Sequence, residues 1–581
     1  MVRVLAPPRS AVSTRRAALC AAAAAAVAAA VLGVAAARTP MVWDEGDAIT
    51  RSEGIRRWVE RFFGAAGGRP LSREAIRADW QFTTQREGHP AGYGIVIATG
   101  RWIAGPWLAP LLAARFGPVL LFSVAAGAFF YRMARQWSLA AAASGVAALL
   151  LLPRLFAHAQ FATCDGPLTA CWILAWATFA AAHRRWRWVP LWGAAMGLTF
   201  SCKATGWFVL VPFVVWALWY GDRRALAILP AGLAVALVTF FALNPPLWHD
   251  PLWGWSTFFQ LNAGRAGRPD LNISTWFLGR MYNLESPLPW YNTLFWTCVT
   301  VPVGMLVLAG MGLRRAWRAR GSVRRPAMLV VGHWLTLLVI RALPFAPPHD
   351  GVRLFLPSFA LLAVIIGLGA DGLLGRVRCS GWPGRLGAAG LLTAAYAGSA
   401  TSLFWYAPQW LSYYNLVIGG LPGATAMGME PTYYWDGLDG PVLQWIHRHT
   451  PVGHKVLFGP VIEGTIQAGP MENLRWMRRW GLFRRRCDPA APGPWRWYVL
   501  QRRPSGMWPV DHWLVANAEP AFVKRIRPGG SGPWRLDVPL VEIYRYEDFL
   551  RARQAVDRGA APARVGLPEG AHSRQGGRMA R

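Results

Sequence analysis

Acidic side chains are scarce in this sequence. Its 581 residues hold 29 Asp and Glu against 61 Lys and Arg, a net charge of +32, and charged residues of both signs make up only 15%. Globular domains carry about 25% charge, so an ordinary soluble chain is excluded. Cysteine is sparse too: Cys20, Cys164, Cys171, Cys202, Cys298, Cys379 and Cys487 lie mostly in or beside apolar runs and show no CxxC spacing. That excludes a zinc framework and a disulfide scaffold, and leaves small apolar packing for Cys164 and Cys202. No segment recurs at a fixed period, so solenoids and propellers are out. What is abundant is apolar surface, with 54% hydrophobic residues and 34 Trp. The composition is that of a polytopic membrane protein. Its Arg clusters occupy short loops between apolar runs, so topology accounts for the positive charge and nucleic acid is not expected as a partner.

Arg3, Arg9, Arg15 and Arg16 precede an Ala-rich run over 17–37. At about 20 residues it is long enough to span, and longer than the ~7–15-residue core of a cleaved signal. It reads as a signal anchor with its N-terminus inside, although Val34-Ala35-Ala36-Ala37 also suits a cleavage site. Residues 38–115 form a first external loop whose apolar stretch, 91–114, is broken by Gly100, Gly105, Pro106 and Pro110. The next run, 118–131, ends in Arg132 and Arg135, which belong inside; it therefore enters from outside, and 91–114 lies along the membrane surface or re-enters. Parity then orients runs at 139–152, 167–182, 189–201, 206–219, 225–243, 292–313, 328–343, 354–374 and 386–405. About eleven spans result, with the N-terminus inside and the C-terminus outside.

Three regions follow: a membrane part over 1–405, a small external α/β domain over 406–550, and a basic disordered tail over 551–581. In the external domain Gly440 to Ile446 opens an amphipathic helix with Pro441 just inside its start, and 455–458, 497–500 and 540–544 have strand patterns.

Once the spans are oriented, the polar residues hardest to explain structurally fall on the outer side. They are Asp44 and Glu45 after the first span, Glu87 and His89, Asp165, Lys203, His249 and Asp250, and His349, Asp350 and Arg353. Mixed-sign groups clustered at one membrane face are the pattern of an active site opening there. Each also has a plainer reading. Asp44-Glu45 fits a solvated loop start, Asp165 fits a helix N-cap with Pro167 close behind, and Lys203 and Arg353 fit side chains snorkelling at span ends.

The order of these groups carries a resemblance. Met41-Val42-Trp43-Asp44-Glu45-Gly46 follows the first span, and Glu87-Gly88-His89-Pro90 opens a surface helix. Then come Ala157-His158-Ala159-Gln160-Phe161-Ala162-Thr163-Cys164-Asp165-Gly166-Pro167-Leu168, and Lys203 ahead of an apolar span. His349-Asp350-Gly351-Val352-Arg353-Leu354-Phe355-Leu356-Pro357 resembles the basic-residue-then-Leu-Pro start of a late span. Over about residues 16–405 the chain resembles the family 39 glycosyltransferases, C-type (GT-C) membrane enzymes related to protein O-mannosyltransferases and to the bacterial aminoarabinose transferase acting on lipid A.

That resemblance implies an inverting transfer of a sugar from a polyprenyl-phosphate donor to a hydroxyl or phosphate of a protein, lipid or glycan acceptor at the outer face. It puts Asp44 at the meeting point of donor and acceptor as catalytic base, with Glu45 beside it able to tune its proton affinity. The leaving group is already a phosphate, so cations are needed to hold it; Lys203, Arg353 and His349 are the candidates, Arg353 foremost because a guanidinium engages phosphate in two parallel bonds. Glu87 and His89, with Asp44 or His249, suit a divalent metal ion, and metal dependence stays open. The Arg- and Ala-rich composition suggests a GC-rich bacterium and hence its inner membrane. The external domain lacks the β-trefoil repeats of eukaryotic protein mannosyltransferases. Its aromatic stretch, Ser412-Tyr413-Tyr414-Asn415 to Tyr433-Tyr434-Trp435-Asp436, is expected to anchor at the membrane interface rather than stack on a sugar. A carrier or flippase for a lipid-linked sugar is the alternative, disfavoured because carriers place ionisable groups near the midplane and often show paired repeats. A non-catalytic scaffold with a partner-binding external domain is the third reading.

Overall fold

The computed structural model describes residues 12–64, 67–264, 273–349, 351–379, 381–459, 468–481, 493–527 and 536–559. Helices α1 (Thr14–Ala36), α2 (Glu45–Phe62), α3 (Arg73–Asp79) and α4 (Gly92–Ala104) lead into α5 (Pro110–Gln136), α6 (Leu139–Leu151), α7 (Pro153–His158) and α8 (Asp165–Arg184). Then come α9 (Val189–Cys202), α10 (Leu210–Trp219), α11 (Arg223–Ala242) and α12 (Pro251–Ala263), and a hairpin of β1 (Thr275–Phe277) and β2 (Arg280–Tyr282). Helices α13 (Asn292–Thr300), α14 (Val303–Arg318), α15 (Arg324–Ala342), α16 (Leu356–Cys379), α17 (Trp382–Trp405) and α18 (Gly420–Ala426) complete the helical part. The C-terminal unit comprises α19 (Gly440–His449), β3 (Lys455–Gly459), α20 (Ala468–Arg479), β4 (Trp495–Gln501), α21 (Pro509–Asn517), β5 (Phe522–Arg527), β6 (Leu536–Arg545) and α22 (Tyr546–Asp557).

The chain is an integral membrane protein, α-helical, with a small C-terminal sheet. Among the described residues five helices are long and apolar enough to cross a bilayer: Thr14–Ala36, Pro110–Gln136, Arg223–Ala242, Arg324–Ala342 and Arg353–Arg376. Leu139–Leu151 and Ala204–Trp219 are shorter apolar helices beside them. At the centre is α16, buried along nearly all its length and packed against α6, α8, α14, α15 and α17. Small residues set the closest crossings. A Cβ on Gly197 of α9 would lie 2.6 Å from the Ala236 carbonyl oxygen of α11, and one on Gly117 of α5 would lie 2.0 Å from that of Val96 in α4. Both crossings need glycine because backbone meets backbone.

Two expected spans start or run differently. α5 begins at Pro110 and carries Pro118 in its interior, so 110–117, expected to lie with the surface stretch or beside it, is the first part of a 27-residue helix. The run expected over 292–313 is two helices, because Pro302 has no N–H to continue the ladder and Val301 before it is extended, φ −95° and ψ 132°.

The C-terminal sheet has the order β3-β4-β6-β5, with β3 parallel to β4 and the other pairs antiparallel. It contains all three expected strands and one more, β5, whose sequence Phe-Val-Lys-Arg-Ile-Arg hides a strand among cations; charged residues are usual on such an edge. Helix α22 runs to Asp557, so a tail beginning at 551 is corrected: Tyr546 stacks on Trp495 and Phe549 on Tyr498, which hold this helix on the sheet. The remainder of that tail, 560–581, lies outside the described residues. Residues 406–436, expected in the external domain, pack into the membrane-helix core through Tyr406, Trp410, Tyr414 and Tyr433, and the separate sheet unit starts near Gly440.

The first loop and the sheet share a second core. Ile49, Ile55 and Trp80 pack in one cluster with Val442, Ile446, Trp476, Val499 and Val541. Together they form a layer over one end of the helices.

Candidate active site

Asp44 lies where that layer meets the helices, immediately before α2. Its Oδ2 accepts from Arg353 Nη2 at 2.5 Å and from the Tyr434 hydroxyl at 2.7 Å. Arg353 comes from the short turn ahead of α16, after Gly351, whose φ of +52° lets the loop close against the Tyr433 ring. Its Nε donates to Asp165 Oδ2 at 3.0 Å, and Lys203 Nζ donates to Asp165 Oδ1 at 2.6 Å. Four charges thus form one chain, Asp44–Arg353–Asp165–Lys203. Asp165, Lys203 and Arg353 have side chains 0%, 6% and 10% exposed, whereas Asp44 is 35% exposed and is the member a ligand reaches first.

Asp165 is the first residue of α8 and makes no capping bond, since its carboxylate is committed to the two cations. The dipole at that helix start still favours its charge. Burial alone would lower the pKa of Lys203, but the adjacent Asp165 carboxylate outweighs it and the net shift is upward, so the ammonium stays charged. Burial also pushes the Tyr434 phenol up, keeping it a donor to Asp44. The Arg353 guanidinium lies 4.1 Å above the Tyr434 ring. Beneath this pair His158, driven down to about 3 by burial, is neutral and 3.0 Å from the Tyr433 hydroxyl.

Glu45, expected to share the catalytic role, is corrected to a structural one. Its carboxylate is wholly buried and accepts from Arg115 Nε at 2.7 Å and Nη2 at 2.6 Å, from Val42 N–H at 3.0 Å and from Ala162 N–H at 2.9 Å. Four donors saturate it and pin the chain on the N-terminal side of Asp44.

Glu87 and His89 lie together, Oε2 to Nε2 at 3.1 Å, and Glu87 reaches Arg51 at 3.8 Å, which binds Asp47 at 2.7 Å. His249 does not join them: it is exposed, and its Nε2 pairs with the Leu71 carbonyl at 2.8 Å. Among the described residues no three His, Cys, Asp or Glu converge on a common point, so the Glu87–His89–His249 metal set is not assembled. His349 sits four residues before Arg353 in the same loop, its carbonyl accepting from Arg341 at 3.3 Å; Asp350 lies outside the described residues.

Sequence reasoning missed three groups. Tyr433 and Tyr434 are each 1% exposed, so they are not interfacial anchors; they enclose His158, Arg154 and Arg353. Asn473 of α20 holds the Asp44 loop on both flanks, accepting from Gly46 N–H at 2.7 Å and donating to the Val42 carbonyl at 2.8 Å. Arg115 was concealed by its position inside a long apolar helix.

The chain matches the family model of dolichyl-phosphate-mannose-protein mannosyltransferases over residues 105–249, about a quarter of its length, a stretch that includes Arg115, His158, Asp165 and Lys203. The resemblance to the protein O-mannosyltransferase type of glycosyltransferase is borne out there. No curated protein matches the chain. Among solved structures, ArnT from Cupriavidus metallidurans bound to undecaprenyl phosphate is 16% identical, covers 89% of this chain and 96% of its own, and has a TM-score of 0.45. The archaeal oligosaccharyltransferase AglB from Archaeoglobus fulgidus, in complex with an inhibitory peptide and a dolichol-phosphate, is 11% identical, covers 83% of this chain and 69% of its own, and has the same TM-score of 0.45.

Proposed function

We propose that this chain is an inverting membrane glycosyltransferase that moves a sugar from a polyprenyl-phosphate donor to an acceptor hydroxyl at the outer face of a bacterial inner membrane. The observation that carries the reading is the bond between Arg353 and the part-exposed Asp44, with Lys203 tied in through Asp165. The family model over 105–249 supports a lipid-phosphate-linked donor by its own description.

In this reading Asp44 takes the proton of the acceptor hydroxyl while its oxygen attacks the anomeric carbon. The new C–O bond forms as the bond from that carbon to the phosphate oxygen breaks, and the electron pair leaves with the phosphate. The donor phosphate carries one negative charge before the step and gains a second as it departs. Arg353 and Lys203 face that developing charge with preset geometry, which is where electrostatic stabilisation acts most strongly. Asp165 balances the two cations while no phosphate is bound and keeps them aimed. Glu87 and His89 belong to a separate cluster with Arg51 and Asp47 and serve the acceptor side in this reading.

The test is incubation of the purified protein with a panel of labelled undecaprenyl-phosphate sugars and measurement of which donor is consumed. One donor should be turned over, and Asp44→Asn should lower that turnover by about 10²–10⁴-fold with membrane insertion unchanged. Consumption of none overturns the reading, and full activity in Asp44→Asn removes Asp44 as the base.

A further inference from the structure

A pocket of about 320 Å³ lies far from Asp44, at the turn between α14 and α15. Leu313, Met328 and Val331 line its apolar side, Arg314 and Arg318 its rim, and Trp317, 70% exposed, stands at its edge. The volume is at the small end of ligand sites, which begin at about 300 Å³. It fits a headgroup and the first carbons of a chain.

Depth follows from α15. Its 19 residues, Arg324–Ala342, rise about 28 Å at ~1.5 Å each, close to the ~30 Å hydrocarbon thickness. Its far end meets the loop of Arg353, where Arg341 donates to the His349 carbonyl at 3.3 Å. The pocket is therefore at the opposite membrane boundary, where an exposed Trp beside Arg is the usual anchor pair.

Charge is uncompensated at the rim. Among the described residues the nearby carboxylates are already taken: Asp371 pairs with Arg315 at 2.7 Å, and Asp222 bonds His183 at 3.0 Å and reaches Arg325 at 3.9 Å. No described carboxylate pairs with Arg314 or Arg318, and Arg320 and Arg324 add to the field. An apolar hollow with an unneutralised basic rim, opening at the lipid boundary, matches an amphiphile with an anionic head.

We propose that this pocket binds an anionic phospholipid, with its phosphate between Arg314 and Arg318 and its acyl chain on Leu313, Met328 and Val331. The site is independent of the glycosyl-transfer reading and stands at the other face of the molecule. A lipid seated there would brace the α14–α15 turn at the end of the helix that leads to Arg353.

The full-length protein, purified in detergent with equal amounts of phosphatidylglycerol and phosphatidylcholine, is examined by native mass spectrometry for retained lipid. Wild type should retain phosphatidylglycerol in preference. Arg314→Gln and Arg318→Gln should each lower that preference about fivefold. Met328→Trp fills the hollow without changing charge and should also remove it. Arg320→Gln with Arg324→Gln takes away two charges outside the pocket, one more than either rim variant, and should lower the preference less than either of them does. The proposal is overturned if wild type shows no preference, if the outer pair matters as much as the rim pair, or if inorganic phosphate displaces phosphatidylglycerol as readily as the lipid itself does. Melting temperatures of all variants separate lost binding from lost folding.

Discussion

Arg115 grips Glu45 with two parallel bonds, 2.7 Å and 2.6 Å long, and turns its remaining donors onto the carbonyls of Ala36, Thr39 and Pro40. All five N–H groups are used, on both the carboxylate and the end of α1. The pair therefore fixes where the first helix stops and where Asp44 begins. Both side chains are 0% exposed, so losing one partner strands the other. Glu45→Gln or Arg115→Met should lower unfolding stability by about 3–5 kcal/mol, read from thermal melts in detergent. Variants that melt with wild type would show that the pair contributes nothing net to this fold.

Tyr434 bonds Asp44 through its hydroxyl and stacks on Arg353 through its ring, and two substitutions separate these contacts. Tyr434→Phe keeps the ring and removes a hydrogen bond to a charged group, about 1.5–3 kcal/mol. Transfer from whichever labelled donor is turned over should fall by about tenfold or more, with the variant still folded and inserted at the assay temperature. Tyr434→Leu should cost more, because Arg353 loses its platform as well. Equal activity in Tyr434→Phe and wild type would remove the hydroxyl as a positioning group for Asp44.

In the sheet unit, Asp511 is buried and accepts from the Tyr498 hydroxyl at 2.5 Å and from Trp508 N–H at 2.8 Å; burial pushes its carboxyl up to about 6. Between the unfolded value near 3.8 and about 6, the folded form holds a proton that the unfolded form has released. Stability contributed by this group is full below that window and falls as pH rises through it, by roughly 3 kcal/mol for a two-unit shift. Asp511→Asn carries no titrating proton, so its melting curve should lose this downward slope relative to wild type. Parallel pH profiles for the two proteins would contradict the assignment. Asp436, raised to about 6 by the same cause, adds a slope of the same sign that remains in the variant.

What is legible in the sequence here is charge set against apolar background. Asp44, Asp165, Lys203 and Arg353 stand out because each is expensive at a span end and because parity puts them on one side. Tyr434 is 390 positions from the carboxylate it touches, and no local pattern encodes such a contact. Composition also does not separate a buried tyrosine from one in an interfacial belt, which is why Tyr433 and Tyr434 read as anchors. Pro118 marks a helix start in most soluble proteins, yet in α5 it lies inside the helix, as neighbouring membrane helices permit. The hidden edge strand β5 fails by the opposite route: Lys524, Arg525 and Arg527 mask the apolar alternation of Phe522 and Ile526.

The side chain that most directly joins the C-terminal unit to the candidate chemistry is Asn473. It is 9% exposed and spans the backbone around Asp44, from the Val42 carbonyl to the Gly46 N–H, a contact separated by more than four hundred residues of chain. Trp476, one turn on, donates to Thr50 Oγ1 at 2.8 Å and ties the same helix to α2. Because Glu45 and Arg115 hold this loop independently, Asn473→Ala should leave the fold intact while freeing one backbone donor and one acceptor, about 1–3 kcal/mol of local ordering. The carboxylate of Asp44 would then sample positions away from Arg353. The expected signature is a fall in kcat of about tenfold or more with little change in donor KM, since Lys203 and Arg353 are untouched and misplacement by ~1 Å is enough to slow chemistry strongly. Asn473→Asp keeps the acceptor toward Gly46 and should recover part of the rate. A loss confined to KM, or a loss of folding equal to that of Glu45→Gln, would mean that Asn473 acts on donor binding or on stability, and not on the placement of Asp44.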